Sequence, residues 1–155
     1  MALQESGEPI LPLTRHILTE NPHVETHSIN SMWRSVERRE SYRAEYAQIW
    51  NSTATSQGVN GEPQGMVDVL LSPVGPGAAP KIGTSKWWGY TSQWNLLDYP
   101  ALVFPVDRVT IEKDGEPEKH EARNEKDRFN WDLWEKYGAE GYKDAPLSLQ
   151  LIGRR

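Results

Sequence analysis

Three histidines near the start of the chain, His16, His23 and His27, have the clearest potential for metal chemistry. His23 and His27 lie four residues apart, a spacing that places two ligands on one face of a helix. Pro22 directly precedes this pair, the surrounding sequence is typical of a loop, and no carboxylate completes a familiar ligand pattern. The pattern favours surface histidines, and it predicts neither a metal site nor a cofactor.

Two serines, Ser72 and Ser85, have the chemistry of hydrolytic nucleophiles, and Asp98 could join a neighbouring carboxylate in acid–base catalysis. Neither serine lies in a G-x-S-x-G turn, and no histidine follows in a suitable context. Nothing in the sequence sets the separation of two carboxylates, which glycosidase-type chemistry requires. Gly75-Pro76-Gly77 lacks the spacing and the lysine of a phosphate-binding loop. These local patterns predict no catalytic residue and leave the reaction open.

The composition excludes several classes of protein. A length of 155 residues corresponds to about one domain or to part of a larger one, and 37% hydrophobic residues with a net charge of −5 exclude the disordered class. No basic stripe is present, so we expect no nucleic-acid partner. The absence of cysteine excludes disulfides, thiolate catalysis and cysteine-type zinc sites. The composition does not indicate an oligomeric state.

The first residues of the chain, MALQESGEPILPL, do not have the pattern of a signal peptide, because no basic region is followed by an apolar core. No apolar run approaches the roughly 20 residues that a membrane-spanning helix needs. We therefore expect a cytoplasmic protein without a membrane span.

The helix that could position these groups begins after an N-cap at Ser28 and runs to about Trp50. Its apolar residues recur at helical spacing on one face, opposite the charged residues: Ile29, Met32, Trp33, Val36, Tyr46, Ile49 and Trp50. We expect the tryptophans of this face to pack against the protein rather than to bind a ligand. Two further segments, Trp88–Leu97 before Pro100 and Phe129–Tyr137, predict short helices.

Three apolar segments predict strands, at Met66–Leu71, Ala101–Val106 and Leu147–Ile152. The second is apolar on both faces, which is typical of a strand buried in a parallel or mixed sheet. Between it and the last strand, Asp107–Arg128 is charged and contains Gly and Pro, so we expect an excursion on the surface. Strands with helices between them indicate α/β layers.

The predicted helices provide little cover for such a sheet, since only one of them is long. Burying a Leu, Val or Phe side chain contributes about 1.5–3 kcal/mol, while ordering each residue costs about 1–2 kcal/mol in backbone entropy. With incomplete cover these opposing contributions nearly cancel. We therefore expect the isolated chain to be only marginally stable.

The segment Trp88–Val106, WGYTSQWNLLDYPALVFPV, resembles the C-terminal part of the amidase-signature family, and more narrowly fungal acetamidase-type enzymes. Further segments resemble the same family in the same order: LQESGEPILP, ERRESYRAEYAQIW after Trp33, VDVLLSPVGPGAAP, RNEKD and APLSLQLIGRR. The resemblance covers nearly the whole chain. It implies one partial amidase domain over residues 1–155, the C-terminal part of an α/β/α sandwich with a mixed sheet, incomplete at both ends.

The resemblance also implies a reaction, the hydrolysis of carbon–nitrogen bonds in small amides through an acyl-enzyme. The family uses a nucleophilic serine, a bridging serine and a lysine base, because a serine hydroxyl is a poor nucleophile until a base takes its proton. The Gly- and Ser-rich segment that carries the serines has no counterpart here, and the lysine lies still further upstream in relatives. No catalytic residue is therefore assigned, and we expect this chain alone to be inactive.

Four residues of the opening segment correspond to positions near the substrate channel of relatives: Tyr90, Thr91, Trp94 and Asn95. The resemblance implies that they bind the amide substrate, with Asp98 and Pro100 shaping the turn that follows. The alternative is that they only hold the turn between helix and strand. Aromatic and amide groups suit either role.

Two functions remain open at this point. The chain derives from, or works as part of, an amidohydrolase whose partner is a small-molecule amide, or it is a non-catalytic remnant or interaction module. Completion by a separate catalytic chain is a third arrangement. Relatives of the family also continue beyond the residues that correspond to Gly153-Arg154-Arg155. Together with the initiator Met1, this suggests a truncated gene product or a gene-model fragment.

Overall fold

A computed structural model of the chain describes residues 5–116 and 119–154. The elements, in chain order, are α1 (Pro12–Arg15), a single π-helical turn (His16–Glu20), α2 (Ile29–Asn51), β1 (Ser56–Gln57), β2 (Pro63–Gln64), β3 (Val69–Pro73), α3 (Gly89–Leu97), β4 (Ala101–Arg108), α4 (Ile111–Asp114), α5 (Glu125–Gly141) and β5 (Pro146–Gly153). The predicted α/β class is confirmed, and each of the three predicted strands is present in the sheet.

The main sheet has the strand order β3-β5-β4, so the last strand of the chain lies in the centre. Both pairings are antiparallel, and Leu151 of β5 lies between Leu71 of β3 and Leu102 of β4. The mixed sheet expected for the complete fold is therefore represented in the described residues by an antiparallel portion. β1 and β2 form a separate two-stranded ribbon.

The long helix α2 begins as the sequence predicts. Ser28 is its N-cap, and the Ser28 hydroxyl accepts a hydrogen bond from the Ser31 N–H at 3.1 Å. The prediction that its tryptophans pack is confirmed for Trp50, which is 3% exposed, and is wrong for Trp33, which is 60% exposed. The cause is that α2 reaches the rest of the fold through its second half, where Tyr46 contacts the Trp94 ring.

The helix α5 is longer than the predicted segment Phe129–Tyr137 at both ends. Its start is extended by Asn124, whose side-chain oxygen accepts hydrogen bonds from the backbone N–H groups of Lys126 and Asp127, both at 3.0 Å. Near its end, Gly138 has a φ of 54°, and this left-handed residue kinks the helix before Gly141. The short prediction missed both features because neither changes the apolar pattern.

Two small clusters form the core. In the first, Trp94 and Leu97 of α3 pack against Ile152 of β5. In the second, Val109 packs against Ala139 and Tyr142, at the far end of the sheet. Apolar side chains around both clusters are half-buried: Tyr46, Leu70 and Tyr99 at the first, and Ala78, Trp134, Tyr137, Ala145 and Leu147 at the second. The core of the described residues therefore consists of two separate clusters, each with three buried side chains.

The strand β4 is less buried than its sequence predicts. The expectation that Ala101–Val106 is buried on both faces is wrong, since every residue of β4 except Phe104 is exposed. β4 is an edge strand, and no described helix covers its side chains. The whole chain has a solvent-accessible surface of 12128 Å², against about 7,900 Å² for a compact monomer of 17.7 kDa. This excess is consistent with the marginal stability that we predict.

Candidate functional site

The described residues form a cavity of about 640 Å³. It lies between the loop from Val74 to Trp88, the first turn of α3, the helix α5 and the start of β5. Its walls are mostly apolar and include five large aromatic rings: Trp87, Trp88, Trp131, Trp134 and Tyr142. A volume of this size accommodates a small organic molecule, and an apolar lining with a few polar groups is typical of ligand pockets.

Trp87 is held in the cavity wall by contacts on several sides. Its ring packs edge-on against His16, with centroids 5.8 Å apart, and against Phe129 of α5, at 6.4 Å. The Lys126 ammonium lies 5.1 Å from the ring centroid. The indole N–H of Trp87 is buried and has no hydrogen-bond acceptor among the described residues. A buried donor without an acceptor favours a ligand that carries an acceptor oxygen.

A His–Asp pair lines the cavity near α5. The His120 Nε2 lies 3.0 Å from the Asp127 Oδ1, and the imidazole ring packs 4.8 Å from the Trp131 ring. The other Asp127 oxygen accepts a hydrogen bond from the Arg123 N–H at 2.9 Å. That backbone hydrogen bond is the main cause of a lowered Asp127 pKa; partial desolvation opposes it, and the contact with His120 adds to it. The sequence offers no motif for this pair.

The lowered Asp127 pKa predicts acid sensitivity of the turn before α5. The hydrogen bonds of the ionised carboxylate stabilise the turn above the ordinary pKa of 3.8 and are lost as the pH falls through the lowered value. We expect hydrogen-exchange protection of the Arg123 amide to fall over that acidic range. Asp127→Asn should flatten this pH dependence, whereas Asp132→Asn, at an exposed position of the same helix, should leave it unchanged. Equal pH profiles for both variants would contradict the assignment.

The structure places the four predicted substrate-binding residues in different surroundings. Thr91 lines the cavity, and its hydroxyl donates to the Trp88 carbonyl at 3.2 Å. Trp94 is 7% exposed and belongs to the first core cluster. Tyr90 and Asn95 are exposed and lie outside the cavity lining. One of the four therefore contacts the cavity in the chain as described.

The turn after α3 is formed by Asp98 and Pro100, as expected. Asp98 has a φ of 61°, and this left-handed conformation ends the helix. The Pro100 carbonyl accepts a hydrogen bond from the Gly153 N–H at 2.9 Å, which ties the turn to the end of β5. The turn thus directs the chain from α3 into β4.

Gln150, for which the sequence offers no motif, holds α3 against the sheet. It is 1% exposed in the middle of β5. Its side-chain Nε2 donates to the Pro73 carbonyl of β3 and to the Tyr90 carbonyl of α3, both at 2.8 Å. Buried polar groups are stable only when paired in this way. A glutamine within the apolar run LSLQLI is the signal that could have revealed it.

The serines do not form a nucleophile–base pair at the cavity. Ser85 accepts a hydrogen bond from the Trp88 indole N–H at 2.9 Å, and Ser72 donates to the Pro73 carbonyl at 3.1 Å. In these hydrogen bonds no imidazole or amine is in a position to take the proton of either hydroxyl. Neither of these two serines is therefore activated by a base in these contacts.

Ser31 and His27 do lie 3.1 Å apart, with Glu25 at 3.8 Å from the same imidazole. Both contacts use the Nδ1 atom, whereas a catalytic triad needs the two different ring nitrogens. His27 is also exposed and lies outside the cavity. This group lies at the start of α2 and does not form a triad.

The three histidines do not come together. His23 and His27 are exposed, as expected, but the prediction of a surface position is wrong for His16, whose half-buried ring packs against Trp87. Within residues 5–116 and 119–154, no three His, Cys, Asp or Glu side chains are grouped so that they could hold a metal ion. None of the helices in the described part of the chain has the length and apolar character needed to cross a membrane.

Comparisons with known proteins agree with the resemblance seen in the sequence. The family model described as Amidase matches residues 2–155. A putative amidase of Schizosaccharomyces pombe is 45% identical over 149 residues, which are 96% of this chain and 25% of the relative. An acetamidase of Emericella nidulans is 30% identical over 153 residues, or 99% of this chain and 26% of the relative.

A solved structure of a fatty acid amide hydrolase has a fold like that of this chain. The TM-score is 0.69 at 27% identity, and the match covers 99% of this chain and 25% of the hydrolase chain. The chain therefore spans about a quarter of the length of each of these relatives.

Proposed function

This chain belongs to the amidase family, and we propose that it forms one wall of the substrate channel in an enzyme that hydrolyses carbon–nitrogen bonds of small amides. Residues 1–155 are then one partial amidase domain, located in the cytoplasm. The serine–serine–lysine machinery belongs to polypeptide that this chain does not match, so the chain alone is inactive.

The observation that supports this proposal most directly is the cavity beside α3. Thr91, one of the residues assigned to substrate binding, lies in its lining. The unpaired indole N–H of Trp87 suits the carbonyl oxygen of an amide, and the side chains of Asn130 and Ser148 in the lining can pair with an amide nitrogen. The aromatic walls exclude water from the rest of the ligand.

The four assigned residues then have distinct parts in the wall. Thr91 faces the ligand in the cavity. Tyr90 and Asn95 are exposed and free to line the channel where catalytic polypeptide lies against α3. Trp94 positions α3, which carries Thr91, because it packs this helix onto β5.

The proposal is tested by observing tryptophan indole signals in an NMR titration of the 155-residue chain with acetamide, propionamide and benzamide. We expect saturable shifts of the Trp87 and Trp131 signals, because both rings line the cavity. Trp33, 60% exposed and outside the cavity, is the internal control and should not respond. Thr91→Val should weaken binding while it leaves the fold intact.

The outcome that would contradict the proposal is a titration in which no amide shifts the Trp87 or Trp131 signals. Equal shifts of all seven tryptophans would also contradict it, because they would indicate a general solvent effect. Saturable shifts that Thr91→Val does not weaken would keep the cavity as the binding site and remove Thr91 from it.

A further inference from the structure

The cavity beside α3 is far larger than the smallest amides. Its volume is about 640 Å³, whereas a water molecule occupies about 30 Å³ in the liquid and acetamide is only a few times larger than water. Acetamide would therefore leave most of the cavity unfilled, and the walls around the unfilled part would gain no contact with it. Ligand pockets ordinarily surround most of the surface of their ligand. The size of the cavity indicates a substrate with a substantial group attached to its amide.

The helix α5 contributes two aromatic rings to this cavity. Trp131 and Trp134 lie three residues apart, so they share one face of the helix, and both line the cavity. Each is held by a second ring. Trp131 packs 4.8 Å from the His120 ring, and Trp134 stacks on Tyr142 at 5.4 Å with 28° between the ring planes. Since Tyr142 is only 8% exposed in the second core cluster, the position of these rings is set before a ligand binds.

The loop from Val74 to Trp88 contributes Trp87, whose ring is also held in place. Phe129 of α5 packs against the Trp87 ring, with centroids 6.4 Å apart. The Lys126 ammonium of α5 lies 5.1 Å from the Trp87 ring, and the Lys86 ammonium of the loop lies 5.2 Å from the Phe129 ring. Cation–π contacts thus join the loop and the helix in both directions. This wall of the cavity is therefore preformed as well.

Preformed aromatic walls favour a flat, rigid ligand over a flexible one. Aromatic rings attract one another in offset-stacked or edge-to-face arrangements with centroids about 4.5–7 Å apart, beyond the effect of the area they bury. A linear alkyl chain loses the freedom of each of its rotatable bonds when it is bound, whereas an aryl group attached to an amide has few such bonds to restrict. The same walls therefore distinguish an aryl group from an alkyl group of equal carbon number.

Resting on the channel role proposed above, we propose that this cavity selects amides of aromatic acids. The aryl group packs against Trp87, Trp131 and Trp134, and the polar groups of the lining bind the amide. Acetamide and linear alkyl amides are weaker ligands of the same cavity. This substrate class differs from the compounds in the names of the acetamidase and the fatty acid amide hydrolase.

Trp131 is the residue of this wall through which selectivity can be measured separately from stability. It lines the cavity and belongs to neither core cluster, whereas Trp134 packs against the second cluster and Trp87 is fixed on several sides. A change at Trp131 therefore alters the aromatic surface that a ligand meets while both core clusters keep their contacts.

The test compares benzamide, cyclohexanecarboxamide and heptanamide, which have the same number of carbon atoms, with acetamide as the smallest ligand. Each is titrated into the 155-residue chain, and dissociation constants are taken from the tryptophan indole signals in NMR spectra. We expect benzamide to bind about threefold to tenfold more tightly than cyclohexanecarboxamide or heptanamide, because only benzamide offers a ring to the aromatic walls. Acetamide should bind about tenfold or more weakly than benzamide, because it buries far less apolar surface.

Three variants locate the selectivity. Trp131→Leu should bring the affinities for benzamide and cyclohexanecarboxamide to within about twofold of each other, whereas Trp131→Phe, which keeps a ring, should retain the preference. Trp33→Leu changes a tryptophan that is 60% exposed and outside the cavity, and this matched control should retain the preference in full. Circular dichroism checks the fold of each variant, and the comparison of amides on the unchanged chain depends on none of them.

The outcomes separate this proposal from the channel role on which it rests. Cyclohexanecarboxamide, heptanamide or acetamide binding as tightly as benzamide would overturn the selection for an aryl group while the channel role holds. A preference for benzamide that Trp131→Leu does not diminish would overturn the assignment of that selectivity to the aromatic wall. A titration in which no amide shifts the Trp87 or Trp131 signals would contradict the channel role itself.

Discussion

Replacing Trp94 by alanine will lower the free energy of unfolding by about 3–5 kcal/mol, whereas the same replacement at Trp33 will change it by less than about 0.5 kcal/mol. Trp94 is 7% exposed and fills the space between Leu97, Ile152 and the Tyr46 ring. Its removal leaves a cavity in the first core cluster, and the small core around it has few other contacts to offset the loss. Trp33 is 60% exposed and loses little on truncation.

The measurement is urea unfolding followed by far-ultraviolet circular dichroism on both variants. We expect Trp94→Ala to be largely unfolded in buffer, because a marginally stable chain cannot lose this much free energy. Trp94→Phe, which keeps an aromatic ring in the cluster, should recover part of the loss. Equal effects of Trp94→Ala and Trp33→Ala would contradict the division between a packed and an exposed tryptophan.

The variant Trp94→Phe separates the two roles that the resemblance allows for Trp94. If Trp94 only supports the wall, Trp94→Phe will bind amides nearly as well as the unchanged chain once both are folded. If its ring contacts the ligand, Trp94→Phe will lose amide affinity in proportion to the lost contact area, with stability largely kept. Its unpaired indole N–H, buried beside the Tyr46 ring, does not decide between these roles.

Local sequence signals predicted the elements that depend on local chemistry. Ser28 caps α2 where a serine before an apolar repeat predicts a cap, and the run before Gly153 forms β5. The segment Trp88–Leu97 forms α3, which ends at Leu97, before the residue that precedes Pro100, as the steric rule requires. In each of these cases the residues that decide the structure are close together in the sequence.

Burial could not be predicted in the same way, because it depends on what lies above each face. The segment ALVFPV has the composition of a buried strand, yet Leu102 and Val103 are 66% and 52% exposed. The first half of α2 has an apolar face that contacts no core, and Trp33 is exposed for that reason. Both sequences are consistent with a larger fold, and both are uncovered in this chain.

The candidate site, too, could be predicted only in part from the sequence. The resemblance pointed to the segment around Thr91, and the structure places that residue in the cavity. The opposite wall comes from Trp131 and Trp134 of α5, which lie three residues apart on one helix and have the pattern of core residues. His120 and Asp127 are seven residues apart and match no known motif, although their side chains lie 3.0 Å apart. The partners of Gln150 are 77 and 60 residues away in the sequence, so its position in an apolar run indicates a buried polar group but not what it binds.

The purified 155-residue chain will release no ammonia from acetamide above the rate in buffer. Enzymes accelerate such reactions by about 10⁶-fold or more, and that acceleration needs a nucleophile with a base beside it. Ser85 accepts a hydrogen bond from the Trp88 indole, and Ser72 donates to a carbonyl, so neither has a base as its partner. The expected loss relative to a complete amidase is therefore the whole catalytic acceleration.

The assay is a coupled measurement of ammonia over several hours, with the Emericella nidulans acetamidase as the positive control. Ammonia release that Ser72→Ala or Ser85→Ala abolishes would contradict the prediction and identify the nucleophile, while release that survives both variants would indicate a contaminating enzyme.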